Sequence, residues 1–371
     1  MSAVAWSLPD WPRQLGALEE RGRLRAEPED FQVWELPLIE PEGDGPHLWL
    51  ELRKRGANTR WVAEQLARAA GAKPRDVGYA GMKDRHAVTT QWFSIGLQEA
   101  GNADWQSWEV PDVTILQAVR HRRKLQTGAL RGNRFRILVR DLEGPLEGLE
   151  TRCRQLAGAG FPNYFGEQRF GREGGNVVRG ARWLERGGRI SRGDRGIYLS
   201  AVRSYLFNTV LAERVRRDNW NHLLDGDVAM LDGSRSTFPC RLPDPVLERR
   251  CAEFDIHPTG PLPGRGSGGA EREAQALERD ALQAQQGAMY GPGDSPGNKL
   301  GDKPREGLAE GLERAGVSAG RRSLRAVPAA MSWDLGEEGL TLDFSLPPGA
   351  YATSLLRELV MAGPGTISEA T

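Results

Sequence analysis

Alternating apolar and polar residues predict several β-strands in this chain. Residues 47–52 and 340–347 alternate with the period of two that is typical of a strand with one buried face. Within residues 134–140, three apolar side chains alternate with three arginines, and Leu138 is the exception. This segment is therefore predicted to be a strand with one buried and one basic face, which is suited to lie along RNA.

Apolar residues at helical spacing predict helices between the strands. Asn58 or Thr59 is predicted to cap a helix that runs to about residue 70, with Trp61, Val62 and Leu66 on its buried face. Further helices are predicted within residues 141–160, near 204–217, at 270–286 and from about 353. The glycine- and proline-rich segments 264–269 and 290–304 are predicted to be loops.

The composition changes near Pro162, and this change suggests a domain boundary. Residues 169–217 contain twelve arginines and only four acids. Strand-like alternation returns after residue 325, and a strand needs hydrogen-bonded neighbours. We therefore predict a discontinuous α+β domain with a mixed, mostly antiparallel sheet. It comprises residues 1–160 and 321–371, and a mainly helical domain, residues 161–320, interrupts it.

Charge and cysteine patterns narrow the class of protein. Lys plus Arg and Asp plus Glu each total 50, so the net charge is zero, but residues 113–140 hold eight basic residues and no acid. This asymmetry favours a basic face for a phosphate backbone, and a solvated charge run is the alternative. The three cysteines form no CxxC pair. No apolar run approaches the roughly 20 residues of a membrane span. We expect a soluble, cytoplasmic protein.

The stretch GYAGMKDRHAVTTQWFSI, residues 78–95, predicts a loop between two strands with Asp84 at its centre. Lys83 and Arg85 flank Asp84, and neighbouring cations favour the ionised form of a carboxylate. An ionised, partly shielded carboxylate is able to act as a nucleophile or as a base. The alternative is that Asp84 only caps the loop or pairs with its neighbours in solvent.

The same stretch closely resembles the active-site motif of the tRNA pseudouridine synthase D (TruD) family, in which the aspartate of an AGxKDxxAVT pattern is the catalytic carboxylate. Other motifs in family order extend the resemblance over most of the chain. They are LRAEPEDFQVWE (24–35), GANTRWVAEQLA (56–67), GNRFRI (132–137), NYFGEQRFG (163–171) and PPGAYATSLLREL (347–359). The resemblance implies a pseudouridine synthase core that is interrupted by an inserted TRUD domain.

The resemblance also implies a reaction, in which a uridine of tRNA, at position 13, is isomerised to pseudouridine by Asp84 after the base leaves its stack. The residues that it assigns to substrate binding are Arg25, Phe31, Asn133, Phe135 and Tyr351. The basic segment adds Arg131, Arg134 and Arg136 as expected contacts of the RNA backbone. The expected partner is tRNA, with no membrane and no obligate protein partner. No cofactor and no metal are required, because the reaction involves no net redox change.

Several of these residues have simpler interpretations. Without the resemblance, Phe31 and Phe135 would be assigned to the core, and Asn133, which follows a glycine, to a turn. Tyr351 occupies the place where a phenylalanine is expected in many family members, so stacking can persist while the role of the hydroxyl is open.

Two other classes of protein remain as alternatives. A glycosidase needs a second carboxylate at about 5 to 9.5 Å from the first, and the motifs supply no obvious partner for Asp84. A noncatalytic RNA-binding protein needs only basic strips and aromatic side chains, which this chain has. The tRNA species, the nucleophilic or basic role of Asp84 and the oligomeric state are left open by the sequence.

Overall fold

The computed structural model describes residues 7–96, 104–266, 268–289 and 307–363. The predicted loop at 290–304 lies outside these residues. The strands are β1 (Arg21–Leu24), β2 (Phe31–Pro37), β3 (His47–Arg55), β4 (Gly78–Tyr79), β5 (Val88–Gly96), β6 (Val113–His121), β7 (Leu130–Glu143), β8 (Phe161–Pro162), β9 (Asp227–Leu231), β10 (Thr237–Cys240), β11 (Ile256–Leu262), β12 (Gly320–Ser323), β13 (Arg325–Ala326), β14 (Ala329–Gly336), β15 (Gly339–Leu346) and β16 (Met361–Ala362). The helices are α1 (Thr59–Ala69), α2 (Leu149–Ala159), α3 (Gly175–Arg186), α4 (Arg192–Arg216), α5 (Pro245–Ala252), α6 (Arg272–Met289), α7 (Leu308–Arg314) and α8 (Ala352–Leu356).

A large sheet contains strands from both the N-terminal and the C-terminal parts of the chain. Its main strands lie in the order β14-β15-β7-β2-β5-β3-β6, and β1, β4 and β16 pair at its margins. Only the β2–β5 and β1–β16 pairs are parallel among the described strands. The C-terminal strand β15 pairs with β7, as the alternation in residues 340–347 requires. The predicted α+β fold with a mixed, mostly antiparallel sheet is confirmed.

A second, smaller sheet lies within the middle of the chain. Its order is β10-β9-β11-β12, and helices α3 to α7 belong to the same stretch of sequence. The predicted boundary between residues 320 and 321 falls inside β12, which pairs with β11. The short strands β8 and β13 pair with each other, so that Pro162 is the register partner of Arg325. The chain therefore leaves the large sheet and returns to it at neighbouring points.

Strand β7 has the two faces that its sequence pattern predicts. Phe135, Ile137 and Val139 are buried, and they pack in one cluster with Leu149 and Leu156 of α2. The register of β7 places Phe135 beside Val33 of β2 and beside Phe344 of β15. Arg134 and Arg136 alternate with these residues and are exposed. Burial of one face thus fixes the register of three adjacent strands.

Helix α1 packs on the same side of the sheet, against β3 and β5. The side chain of Asn58 caps the helix by accepting a hydrogen bond from the backbone N–H of Arg60 at 2.8 Å. Val62 and Leu66 are fully buried, as predicted. The prediction for Trp61 was wrong, because this side chain is 36% exposed, whereas Ala63, two positions further along the helix, is buried.

The described helices include none that is both long enough and apolar enough to cross a membrane.

Candidate active site around Asp84

The Asp84 loop, residues 81–87, connects β4 to β5, which pair as an antiparallel hairpin. The side chain of Asp84 is 27% exposed, so its carboxylate is accessible from solvent. Nη2 of Arg25 lies 3.6 Å from Oδ2 of Asp84, and the Arg25 side chain is only 4% exposed. The structure therefore brings together Arg25 and Asp84, two residues from motifs that are separated in sequence.

The side chain of Lys54, in β3, forms hydrogen bonds with the backbone at the Asp84 loop. Nζ of Lys54 donates hydrogen bonds to the carbonyl oxygens of Asp84, at 2.8 Å, and of Ala57, at 2.7 Å. Lys54 is 1% exposed, and this burial lowers its pKa to about 8; the charge of Asp84 opposes the shift and that of Lys83 adds to it. The buried ammonium group of Lys54 thus anchors the backbone of Asp84 to β3.

A buried ion pair fixes the other end of the loop. Nζ of Lys83 lies 2.6 Å from Oε2 of Glu35, and both side chains are almost fully buried. Oε1 of Glu35 also accepts a hydrogen bond from the backbone N–H of Trp92 at 3.3 Å. The hydroxyl of Thr59, at the start of α1, accepts from the backbone N–H of Lys83 at 3.0 Å. Contacts from β2 and α1 thus converge on Lys83, and β5 holds Glu35 in place.

The cation nearest to Asp84 differs from the sequence prediction. From the sequence, Lys83 and Arg85 were expected to flank the Asp84 carboxylate, but the ammonium group of Lys83 is engaged with Glu35. The guanidinium of Arg25 takes that place, and it also lies over the ring of Phe31 with Cζ 4.0 Å from the ring centroid. The flat aromatic face supports the cation that faces the carboxylate.

Phe31 and Phe135 both lie in the core. They are 1% and 7% exposed, and their ring centroids are 6.2 Å apart in an edge-to-face arrangement. The ring of Phe31 contacts the guanidinium of Arg25, which in turn lies beside Asp84. Phe135 stacks on Phe344 with centroids 5.4 Å apart. A substrate base that touches either ring therefore requires a change in the packing around it.

Asn133 lies in a strand and not in a turn, so the interpretation that sequence alone favoured is wrong. A Cβ atom at the preceding Gly132 would meet the carbonyl oxygen of Leu346, which explains the glycine there. Asn133 is the register partner of Glu35, so the two side chains share one face of the sheet. Its Oδ1 atom is shielded from solvent without a hydrogen-bond partner among the described residues. Such an acceptor is costly unless a ligand satisfies it.

Tyr351 belongs to a different group of contacts. Its hydroxyl accepts a hydrogen bond from Nη2 of Arg169 at 2.8 Å, and its ring lies 6.1 Å from that of Phe165. Both partners come from the middle of the chain, in the NYFGEQRFG segment. The contacts of the described residues therefore link Tyr351 to this segment and not to Asp84.

The three arginines of the basic segment are all exposed. Arg134 forms a bidentate pair with Asp343, with N–O distances of 2.9 and 2.7 Å. Because side chains alternate along a strand, Arg134 and Arg136 point away from the face that carries Asn133 and Glu35. An RNA that contacts these arginines and also reaches Asp84 must extend over both faces of the sheet.

Two residues of the site were missed from sequence, Lys54 and Glu35. Each stands at an inward position of an alternating strand, and a charged residue at such a position is a signal of pairing or function. Within the described part of the chain, no group of three or more His, Cys, Asp or Glu side chains is placed to hold a metal ion.

Comparison with a solved structure defines the class of fold. The structure is similar to that of the putative tRNA pseudouridine synthase D of Methanosarcina mazei, with a TM-score of 0.69, 22% identity and 97% of each chain covered. This similarity shows that the two proteins share their overall fold.

Comparison of the sequences identifies the family. A family model described as tRNA pseudouridine synthase D (TruD) matches residues 18–184 and 189–289. The protein named tRNA pseudouridine synthase D of Methylococcus capsulatus is 47% identical over 357 residues, which cover 96% of this chain and 95% of that protein. The one of Nitrosococcus oceani is 46% identical over 342 residues, covering 91% and 90%. The chain belongs to the tRNA pseudouridine synthase D family.

Proposed function

We propose that this protein converts uridine 13 of tRNA to pseudouridine, with Asp84 as the catalytic residue. The observation that carries the proposal is the Asp84 loop. Its carboxylate is accessible to solvent and faces the buried Arg25, while Lys54 and the Lys83–Glu35 pair hold its backbone. The relatives at 47% and 46% identity are named tRNA pseudouridine synthase D, which supports tRNA as the substrate and pseudouridine formation as the reaction.

The reaction needs one ionised carboxylate. The bond between N1 and C1′ breaks, the uracil rotates, C5 bonds to C1′, and the proton that leaves C5 is balanced by one that N1 gains. The carboxylate of Asp84 attacks C1′ or removes the C2′ proton. The target base must first leave its stack, which costs a few kcal/mol. Arg25 would keep the carboxylate in place during these steps, because its guanidinium is nearly buried beside it.

Asn133 is proposed to bind the uracil edge. Its amide offers an acceptor and two donors, and the acceptor Oδ1 has no partner among the described residues. Phe31 and Phe135 are proposed to form the apolar floor of the base pocket, with Phe31 acting through Arg25. Arg131, Arg134 and Arg136 are proposed to contact the RNA backbone, with Arg134 and Arg136 reaching it from the other face of the sheet.

The arrangement favours isomerisation over the two alternatives. The carboxylate of Glu35 approaches the same loop, but its oxygens are engaged by Lys83 and by the Trp92 N–H, so Glu35 is poorly placed to act as a glycosidase acid. A noncatalytic RNA-binding protein has no need for a loop whose backbone is fixed by a buried lysine.

The test is to map pseudouridine in tRNA after treatment with the wild-type protein and with Asp84→Ala. We expect pseudouridine at position 13 with the wild type and none with the variant. If another uridine were modified instead, the protein would still be a pseudouridine synthase, but the proposed position 13 would be wrong. RNA binding without any modification by the wild type would favour the noncatalytic alternative.

A further inference from the structure

Two arginines surround one aromatic ring where the middle of the chain meets the C-terminal segment. Cζ of Arg322 lies 4.0 Å from the ring centroid of Phe165, and Cζ of Arg169 lies 5.5 Å from the same centroid. Nη2 of Arg169 donates to the hydroxyl of Tyr351 at 2.8 Å, and Cζ of Arg322 lies 5.9 Å from the Tyr351 ring. We call Arg169, Arg322 and Tyr351 the junction cluster.

No carboxylate of the described residues neutralises the positive charge of this cluster. Among the described residues, no carboxylate lies within ion-pair distance of Arg169 or of Arg322. The pKa of Arg322 is lowered to about 10, chiefly by desolvation; Tyr351 opposes the shift and the charge of Arg169 adds to it. Two like charges held together in this way are unfavourable unless an anion joins them.

The guanidinium groups are held in fixed orientations. Nη2 of Arg322 donates to Oδ1 of Asn163 at 2.6 Å and to the carbonyl oxygen of Gly349 at 2.9 Å. Nη1 of Arg169 donates to the hydroxyl of Ser200 at 3.0 Å. Among the described residues, Nη1 of Arg322 has no acceptor, and the Tyr351 hydroxyl keeps its own proton to donate. These are donors that an oxyanion can accept.

The junction cluster lies just beyond the end of β15, the strand that pairs with β7 at Asn133. Gly349 and Tyr351 follow β15 directly, and Leu346 at the end of β15 is the register partner of Asn133. Asn133 in turn is the register partner of Glu35, which holds Lys83 beside Asp84. Because adjacent strands are about 4.8 Å apart, β15 lies about 10 Å from β2. That is a distance that a short stretch of RNA backbone spans.

We propose that the junction cluster binds one phosphodiester group of the RNA whose uridine is presented to Asp84. The phosphate oxygens would accept hydrogen bonds from Arg169, from Arg322 and from the Tyr351 hydroxyl. The site would couple the middle region of the chain to the catalytic sheet, since Arg169 comes from the former and Tyr351 from the latter. This inference rests on the proposed function for the identity of the RNA.

The test measures tRNA affinity as a function of salt concentration for the wild type, Arg169→Ala and Arg235→Ala. Arg235 is an equally exposed arginine in the connection between β9 and β10, so it is the matched control. We expect Arg169→Ala to reduce affinity roughly tenfold and to reduce the salt slope by about 0.7 to 0.9 units, as for one lost phosphate contact. The control should change neither quantity.

A second variant tests the hydroxyl. Tyr351→Phe should weaken binding less than Arg169→Ala does, and combining the two should cost less than the sum of the single effects because they share one phosphate. An unchanged salt slope in Arg169→Ala, or an equal change in Arg235→Ala, would overturn the junction site. These measurements report binding alone, so they are independent of whether the wild type forms pseudouridine.

Discussion

Arg25 and Asp84 form a pair whose members have unequal access to solvent. Arg25 is almost fully buried and rests on Phe31, whereas Asp84 is partly exposed. The pair therefore has a rigid cationic side and an accessible anionic side, and a ligand that enters from solvent meets the carboxylate first. Such an arrangement suits a group that reacts and not one that only stabilises the fold.

The first prediction concerns the charge of Asp84. Asp84→Asn should abolish pseudouridine formation in a single-turnover assay while leaving tRNA affinity within a few fold, because the amide keeps the shape but not the reactive oxyanion. Asp334→Asn, an exposed position on β14, is the control and should remain active. Retained turnover in Asp84→Asn would remove Asp84 from the mechanism.

Lys54 gives the second prediction, which concerns stability and pH. Burial lowers the pKa of Lys54 from 10.5 to about 8, so between these values the unfolded chain binds more protons than the folded one. Stability attributable to Lys54 must therefore increase as pH rises through this window. Relative to Lys54→Met, the free energy of unfolding of the wild type should rise by about 2 kcal/mol between about pH 8 and pH 9.5.

Urea unfolding of both proteins across this pH range measures the difference directly. The methionine variant is the matched reference because its side chain fills the space but does not titrate. A difference that stays constant with pH would show that Lys54 is not buried as a cation beneath Asp84.

Phe31 gives the third prediction. Phe31→Ala would remove a core side chain at a cost of roughly 3 to 5 kcal/mol, so it tests folding before function. Phe31→Leu keeps an apolar side chain but removes the aromatic face beneath Arg25, and it should reduce the single-turnover rate more than tRNA affinity. Phe344→Leu is the control, since Phe344 is equally buried and stacks on Phe135. Equal losses in the two leucine variants would indicate a packing effect only.

At the scale of the elements, β7 serves two purposes. One face fills the core between β2 and β15, while the other carries arginines to solvent. The pairing of Arg134 with Asp343 partly neutralises that basic face, and this exposed pair contributes little stability of its own. An RNA phosphate would have to compete with Asp343 for Arg134.

The fourth prediction follows from this competition. Replacing Arg131, Arg134 and Arg136 together by Gln should weaken tRNA binding and reduce its salt slope by up to about 0.9 units per lost contact. Arg134→Gln alone should have a smaller effect than Arg136→Gln alone, because Asp343 already pairs with Arg134. A salt slope that the triple variant leaves unchanged would place the RNA away from this face and would favour the arginines of residues 169–217.

Elements that depend on local periodicity could be predicted from sequence, and contacts that depend on tertiary structure could not. The alternation in β7 and β15 predicted both strands, because burial of one face specifies their register. Trp61 was misassigned because it lies off the side of α1 that Thr59, Val62 and Leu66 turn toward the sheet. The Lys54 and Glu35 contacts join residues from two strands to one loop, and no local pattern encodes such partners.

At the scale of the whole molecule, two sets of contacts join segments that are far apart in sequence. Its N-terminal arm contacts the segment that follows the last helix: the backbone N–H of Gln14 donates to Glu358 at 2.9 Å. The middle region begins and ends at the β8–β13 pair, where Pro162 and Arg325 are register partners. The division into a discontinuous catalytic domain and an inserted domain remains a prediction, and these contacts define how to test it.

The final prediction compares two shortened proteins. A chain that ends at Ala330 lacks β15, which pairs with β7 from Leu340 to Leu346. It also loses Phe344 and the buried leucines of α8 from the core. The exposed edge of β7 and the uncovered apolar face should make this protein aggregate or unfold.

The second protein replaces residues 163–324 with a short flexible linker. Its ends are register partners, so they lie about 5 Å apart and closing them requires few residues. It should fold with the large sheet intact but bind tRNA weakly, because the arginines of the middle region are absent. Size-exclusion chromatography and circular dichroism compare the two proteins, and tRNA binding is then measured on the linked one. A soluble, active protein ending at Ala330 would show that β15 is dispensable, and the discontinuous domain would then be wrong.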